Sequence, residues 1–145
     1  MATNYWVDLY DIETWRESRE HGLSLTGFAE NMRAAAEHIR PGDILLCYVV
    51  IVQRWVGALE VIGRSMDMTP VWKKDPFPVR FAVRPIVALS LDHGVPQSEL
   101  DDRSNPFCAD TARHQLKGMV RASPTRFTHI DDAEAVLAAL KAVAQ

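Results

Sequence analysis

Hydrophobic and polar positions along this chain change their spacing several times, and each change predicts a new element of secondary structure. Stretches in which apolar residues alternate or run together predict strands at 4–10, 44–52, 55–63 and 77–91. Apolar residues at helical spacing, or capping residues at a segment's start, predict helices at 11–21, 28–39, 106–119 and from 131 onward. The segments 23–27 and 92–106 show neither pattern and are predicted to be irregular connections.

Single residues sharpen several of these boundaries. Asp11 is suited to cap the first helix, and Gly22 is suited to end it. The turn at 41–43, Pro-Gly-Asp, precedes the long apolar strand. Gly57 inside a strand predicts a bulge or the close approach of another group, and Pro85 predicts an edge or a bulge in the strand it interrupts.

The order of these elements predicts the fold class. Three consecutive strands without a helix between them indicate an antiparallel meander, whereas a doubly wound α/β fold would alternate strands with helices. A short, curled meander tends to close into a small barrel. We therefore expect an α+β fold of one domain over residues 1–145, with a mixed sheet of about five strands and flanking helices.

Composition narrows the class of protein. The chain has 145 residues, of which 48% are hydrophobic and 24% are charged, as in globular proteins. Two cysteines are too few for a disulfide scaffold, and the amino-terminal segment has no secretory signal pattern. The longest apolar run, 44–52, is about half the length that spans a membrane. We expect a soluble, cytoplasmic protein without a membrane partner.

Charge is unevenly distributed, although the net charge of −3 argues against nucleic-acid binding by bulk electrostatics. Residues 73–91 carry four cations and one acid, and residues 111–130 carry four cations and no acid. Residues 92–110 between them carry five acids and one cation. The two basic segments either lie together as one positive face or are separate solvated faces.

Motifs for catalysis or metal binding are missing from the sequence. The five histidines show no HxxxH or CxxC spacing, and there is no phosphate-binding glycine loop or nucleophile elbow. Cys108 with His114 nearby is either a thiol site or, as we expect, a half-buried structural cysteine. We predict a non-enzymatic protein without a metal or cofactor.

Trp72 is unusual because it lies in a predicted loop rather than in a strand or helix. It is followed by Lys73 and Lys74 and bracketed by Pro70 and Pro76. A tryptophan beside cations can stack on a nucleobase, which contributes about 1–3 kcal/mol per base. Alternatively, Trp72 folds back over the barrel mouth as a cover on the core.

Several segments, taken in order, resemble the EVE-type branch of the PUA-like superfamily, whose members are related to YTH domains. The most recognisable is Arg40-Pro41-Gly42-Asp43 with the strand after it. The Phe-Pro-Val-Arg-Phe segment at 77–81 resembles the Phe-Pro-Val-Lys-Trp segment of YTH domains. The matching segments are 5–7, 11–15, 40–48, 56–61, 77–81, 118–124 and 130–133. The resemblance implies a PUA-like β-barrel with a pocket that receives a modified or flipped base of RNA or DNA.

The resemblance also implies roles for individual residues. Pocket residues would be the aromatic walls Phe28 and Trp72, the edge-readers Asp11 and Thr26, the loop glycine Gly27, and Tyr48 at a strand end. Phosphate contacts would come from Lys73, Lys74, Arg80, Arg121 and Arg126. Relatives commonly carry tryptophan at the position of Thr26, so one wall of an aromatic cage is either missing or replaced by Phe28.

The leading hypothesis is a non-catalytic module that recognises a nucleobase, including modified bases, in RNA or DNA. The alternative is a regulatory domain that binds a nucleoside or another small planar molecule in the same pocket, without a polymer. A third candidate is a protein-interaction module or a hydrolase of unrecognised type. Weak dependence of affinity on salt would favour the small molecule, because phosphate contacts make polymer binding sensitive to salt.

Overall fold

A computed structural model describes residues 3–97, 99–100, 124–127 and 130–144 of the chain. The strands are β1 (Tyr5–Tyr10), β2 (Leu25–Phe28), β3 (Ile44–Val49), β4 (Arg54–Ser65), β5 (Val79–Ala88), β6 (Val95–Pro96) and β7 (Thr125–Arg126). The helices are α1 (Ile12–Glu20), α2 (Arg33–Ala36) and α3 (Ile130–Ala144), and short 3₁₀ turns occupy Glu30–Met32 and Leu91–His93.

The strands form one mixed sheet in the order β2-β5-β4-β3-β1-β7, with β6 also paired to β4. β3, β4 and β5 pair antiparallel in sequence order, which confirms the predicted meander. β1 runs parallel to β3, because α1, β2 and α2 lie between them in the chain and carry it back to the same end. The α+β prediction is confirmed, with more strands among the described residues than the five expected.

Irregularities in the strand pairing curl this sheet into a half-barrel. The register of β4 against β5 shifts between Ala58 and Leu59, opposite Pro85, so the bulge predicted for this proline is present. Gly57 admits a close neighbour, as predicted, because a Cβ there would lie 2.8 Å from the ring of Trp15. The curl and this glycine let α1 pack directly against the sheet.

The two faces of the curled sheet bury different sets of side chains, since successive residues of a strand point to opposite sides. Trp6 and Tyr10 of β1 face the interior of the half-barrel, where Trp15 of α1 also lies. Tyr5 and Val7 face outward instead and belong to a second cluster. The second cluster includes α3 through Ala133, Val136 and Leu140.

Three predicted elements are wrong. Residues 92–106 were expected to be irregular, but β6 forms within them and pairs with β4. Residues 23–27 were expected to be irregular, but β2 forms there and pairs with β5, Leu25 opposite Ala82 and Phe28 opposite Val79. The helix expected over 28–39 is reduced to a 3₁₀ turn and the four residues of α2. Its apolar spacing arises because β2 and the following turn both bury side chains in the same core. The helix expected over 106–119 lies outside the described residues.

None of the described helices combines the length and the apolar character needed to cross a lipid bilayer.

Candidate functional site

The amino-terminal end of α1 forms one side of a surface pocket, and Asp11 is fixed there by capping the helix. Its Oδ1 accepts a 2.7 Å hydrogen bond from the amide of Thr14. In return, Oγ1 of Thr14 accepts a 3.0 Å hydrogen bond from the amide of Asp11. This capping box confirms the predicted N-cap and uses one oxygen of the carboxylate, which leaves Oδ2 directed away from the helix backbone.

The pocket encloses about 280 Å³ at the end of β1. Its walls are mainly apolar or aromatic, with charged groups at the mouth: Leu9, Tyr10, Asp11, Thr14, Val50, Lys74, Asp75 and Phe77. Pockets for drug-sized ligands usually enclose about 300–1,000 Å³. This pocket is therefore suited to a smaller ligand, such as a single nucleobase.

An ion pair spans the pocket mouth. The ammonium group of Lys74 donates to Oδ2 of Asp11, and the two side chains are 53% and 26% exposed. Burial acts to raise the pKa of Asp11, but hydrogen bonds from Lys74 and Thr14 outweigh it and hold this pKa below its ordinary value. The hydrogen bond to Asp11 in turn raises the pKa of Lys74. The mouth thus presents a carboxylate and an ammonium group side by side.

Arg80 organises the loop that carries Lys74. Its side chain is buried, and its guanidinium group donates to four carbonyl oxygens at 2.6–3.2 Å, those of Asp67, Thr69, Pro76 and Phe77. A guanidinium group is suited to this role because it has several donors in a fixed plane. The placement argues against the predicted phosphate contact at Arg80, since its donors already bind the loop backbone.

Trp72 folds onto the barrel and is only 6% exposed. Its indole N–H donates to Oγ of Ser18 at 2.8 Å. The guanidinium carbon of Arg80 lies 5.1 Å from the ring centre, and the ring of Phe77 meets it edge-on at 5.5 Å. The structure agrees with the second interpretation of Trp72, in which this side chain folds back over the core. Its ring does not line the pocket.

Phe77 is the aromatic residue that this loop presents to the pocket. Its φ of 44° lies in the left-handed region, which bulky side chains rarely adopt. The strained backbone is held on both sides, because its amide donates to Oδ1 of Asp75 at 2.7 Å and its carbonyl accepts from Arg80. Sequence analysis did not select Phe77, although its position between Pro76 and Pro78 marks an unusual backbone.

Gly27 makes room for this loop, whereas Phe28 lies inside the half-barrel. A Cβ at Gly27 would lie 2.8 Å from both Cβ and the carbonyl oxygen of Phe77, and 3.0 Å from the ring of Trp72. Phe28 is 4% exposed and packs edge-on against Phe81 at 6.1 Å. The structure therefore places Gly27 directly behind the pocket, while Phe28 does not line it.

Thr26 lies below the pocket in a buried polar cluster with Asp8 and Tyr10. Its hydroxyl donates to Oδ2 of Asp8 at 2.7 Å, and the hydroxyl of Tyr10 donates to the same oxygen at 3.0 Å. Burial raises the pKa of Asp8 to about 7, although these two hydrogen bonds act to lower it. Sequence analysis missed Asp8. The sequence pattern could have identified it, because Asp8 alternates with the core residues Trp6 and Tyr10 along β1 and therefore points to the same face of the sheet.

Tyr48 lies on the opposite face of the sheet. Its ring is 4.7 Å from that of Trp55 in the outer cluster, which α3 joins. The preceding residue, Cys47, faces the half-barrel interior, so alternation along β3 directs Tyr48 outward. Burial raises the pKa of Tyr48 to about 12. The predicted position of Tyr48 beside the pocket is not what the structure shows.

The predicted phosphate-binding cations do not form one cluster. Lys73 and Lys74 are adjacent beside α1, where the amide of Lys73 is 3.4 Å from Oε2 of Glu17. Arg126 is exposed on β7 and pairs with Trp6 near the start of β1, whereas the pocket lies at the other end of that strand. Arg121 lies outside the described residues. The described part of the chain therefore provides two exposed lysines near the pocket and one distant arginine.

A second and larger cavity, of about 570 Å³, borders other residues of α1. It is lined by Ile12, Trp15, Arg16, Arg19, Glu20 and Leu91. Its charged residues are all exposed, and a ligand there would meet no charged group held in place like Asp11. The smaller pocket is the better candidate, because a few fixed polar groups are what orient a ligand. Over the described ranges, no three His, Cys, Asp or Glu residues are grouped as metal ligands.

Comparisons with known proteins identify the fold. No family profile matches this sequence, and no curated protein matches it. Among solved structures, the Mmi1 YTH domain in complex with RNA is similar to this chain, with a TM-score of 0.64 and 10% sequence identity. The match covers 97% of this chain and 79% of the YTH domain chain. The YTH domain of the Zygosaccharomyces rouxii MRB1 protein, in complex with N6-methyladenosine RNA, matches 96% and 87%, at 17% identity and a TM-score of 0.63.

A bacterial structure has the same fold. Protein Atu2648 from Agrobacterium tumefaciens matches 94% of this chain and 92% of its own, at 17% identity and a TM-score of 0.60. These identities are low, so the likeness concerns the arrangement of strands and helices. The curled mixed sheet with its flanking helices is the α+β fold of the YTH and PUA-like domains.

Proposed function

We propose that this chain is a non-catalytic nucleic-acid-binding domain of the EVE type that takes a single nucleobase into the pocket at the end of β1. The observation that carries the proposal is the small, largely apolar pocket with the carboxylate of Asp11 fixed at its mouth. A base taken out of its stack needs flat apolar walls and a few polar groups that contact its edge. The pocket has both.

In this proposal, Tyr10 and Phe77 contact the faces of the base, and Asp11 accepts a hydrogen bond from an amino group on its edge. A carboxylate suits the exocyclic amino groups of adenine or cytosine and their singly methylated forms, because it only accepts hydrogen bonds. The other predicted pocket residues support this arrangement from behind. Gly27 and Trp72 pack against the loop, Thr26 and Tyr10 donate to the same oxygen of Asp8, and Phe28 packs in the interior.

Contacts with the backbone of the ligand are assigned to the cations nearest the pocket. Lys74 lies at its mouth and Lys73 precedes it in the loop, and we also assign Arg121 and Arg126 to phosphates of the bound nucleic acid. Such contacts position the nucleic acid without selecting its sequence. The RNA complexes of the YTH domains with this fold support RNA as the first ligand to test and a role in binding rather than catalysis. We place the protein in the cytoplasm.

The test is a binding panel of short single-stranded RNA and DNA oligonucleotides, with and without one N6-methyladenosine, measured by fluorescence anisotropy at two salt concentrations. The Asp11→Asn variant keeps the helix cap, because asparagine caps helices as well as aspartate does. It removes the charge that would receive the amino group. We expect affinity to fall roughly tenfold, the value of one hydrogen bond to a charged group.

Asp131→Asn, the same substitution on the exposed first turn of α3, is the matched control and should bind as the wild type does. Equal affinities for the wild type and Asp11→Asn would contradict the pocket assignment. Binding of free nucleosides as tightly as oligonucleotides, with little effect of salt, would favour the small-molecule alternative instead.

A further inference from the structure

The carboxylate assigned to the ligand is already occupied in the free protein. Oδ1 of Asp11 accepts from the amide of Thr14, and Oδ2 accepts from the ammonium group of Lys74. Both oxygens therefore have a partner before any base enters. The cap at Oδ1 belongs to the helix and stays in place. A carboxylate oxygen can accept a second hydrogen bond, but the side chain of Lys74 itself lines the pocket from which a base would reach Oδ2, so in this inference the ligand donor takes the place of Lys74 there.

The position of Lys74 opposite Asp11 is a consequence of the fold. The loop around it is fixed to α1 by the 2.8 Å hydrogen bond from Trp72 to Ser18 and by the amide of Lys73 against Glu17. On its other side, the amide of Phe77 is fixed by Asp75. The Lys74 side chain itself is 53% exposed, so its ammonium group can turn outward while the backbone stays in place.

We propose that Lys74 makes this site selective for a base that is attached to a phosphate backbone. The inference rests on the proposed function and adds a role for the ion pair. When the amino group of the base takes Oδ2 of Asp11, the released ammonium group of Lys74 binds a phosphate of the same ligand. One ion pair is thereby exchanged for another, and no charged group loses its partner.

A free nucleoside offers no such exchange. It carries an amino group for Asp11 but no anion for Lys74, so it breaks the ion pair and leaves the ammonium group with water alone. The exchange is feasible because a half-exposed ion pair contributes little free energy and is weakened further by salt. The Asp11–Lys74 pair therefore acts against ligands that lack phosphate and has little effect on those that carry it.

The experiment compares two probes by isothermal titration calorimetry: free N6-methyladenosine, and an RNA trinucleotide with that base between two uridines. The wild type is compared with Lys74→Met, which keeps an apolar stem of similar length and removes the charge. We expect Lys74→Met to bind the nucleoside a few-fold more tightly and the trinucleotide with little change, because the trinucleotide loses the competing ammonium group and the phosphate contact together. The preference for the trinucleotide should therefore fall a few-fold.

Two further variants complete the test. Lys74→Arg retains a cation and should keep the wild-type preference. Lys141→Met removes a charge from the last turn of α3 and should change neither affinity. An equal change for both probes in Lys74→Met, or no change in either, would overturn this inference while leaving the proposed function intact. A wild-type protein that binds neither these probes nor any oligonucleotide of the panel would overturn both.

Discussion

The hydroxyl of Thr26 on β2 donates a 2.7 Å hydrogen bond to Oδ2 of Asp8 on β1. These strands are not neighbours in the sheet, since β2 begins the strand order and β1 is the fifth strand along it. The bond therefore crosses the interior of the half-barrel and links two parts of the curl through side chains. Tyr10, which donates to the same oxygen, extends this link to the pocket wall.

The stability of the protein should depend on pH through Asp8. Burial raises its pKa from 3.8 to about 7 in the folded protein, so folding favours the protonated form. The free energy of unfolding is highest, as far as Asp8 is concerned, below about pH 4, where this side chain is protonated in the folded and in the unfolded chain. It falls as pH rises towards 7, because the unfolded chain then releases the proton more readily than the folded protein does. A shift of this size corresponds to a loss of about 4 kcal/mol in the free energy of unfolding.

Urea unfolding of the wild type and Asp8→Asn at a series of pH values measures this effect. The variant still accepts the two hydroxyl hydrogen bonds but cannot ionise. Subtracting its curve removes the contributions of exposed carboxylates such as Glu30 and Asp67, whose lowered pKa values act in the opposite direction. Parallel curves for the two proteins between pH 4 and 7 would show that Asp8 has an ordinary pKa.

Gly27→Ala should displace the loop from the pocket. The added methyl group would meet the carbonyl oxygen of Phe77 at 2.8 Å, a backbone atom that cannot rotate away. We expect a loss of about 1–3 kcal/mol in the free energy of unfolding, as for other overpacked sites. Ligand affinity should also fall, because Phe77 and Lys74 move with the loop.

Gly63→Ala is the matched control, since a Cβ at Gly63 in β4 has no neighbour within 4 Å. Chemical denaturation measures the free energy of unfolding of both variants, and the binding panel measures their affinities. If Gly27→Ala matched the wild type in stability and in affinity, the loop would not depend on close contact with β2.

Arg80→Lys tests the structural role of the guanidinium group, and Arg80→Met tests the phosphate contact first predicted for it. A lysine cannot reach four carbonyl oxygens in one plane, so in Arg80→Lys the loop should loosen and affinity for an oligonucleotide should fall. In Arg80→Met, which also removes the charge, the slope of log affinity against log salt should stay unchanged, because no phosphate contact is lost.

Lys73→Met should give the opposite result to the Arg80 variants in the same salt titrations. Its exposed ammonium group is assigned to phosphate, so removing it should reduce the salt slope by about one contact without loosening the loop. If Arg80→Met reduced the salt slope and left the free energy of unfolding unchanged, this result would support the phosphate contact first predicted for Arg80.

Much of the fold was predictable because its signals are local. The alternating pattern at β1, the Asp11 cap and the glycine that ends α1 each depend on residues a few positions apart. The meander followed from the absence of helices between its strands. β2 was missed because four residues carry too little pattern, and β5 supplies the backbone hydrogen bonds that make it a strand.

The candidate site was predicted only in part. Asp11 and Lys74 were selected, and the structure brings them together. Tyr48 was selected from its position in the order of motifs, but strand parity directs it to the opposite face. Phe77 and Asp8 were not selected, because a wall contact and a buried hydrogen bond depend on partners far along the chain.

The sequence alone determined the strands of the meander, the class of fold and the residue types available for binding a base. These could be predicted because periodicity and capping are short-range properties. The exposure of each of those residues was settled by packing between distant segments. Trp72 lies in a polar, basic loop and Arg80 near the start of β5, yet both are buried, because Ser18 and four loop carbonyls satisfy their donors. Hydrogen bonds of this kind form only once the half-barrel has brought β5, α1 and the loop together.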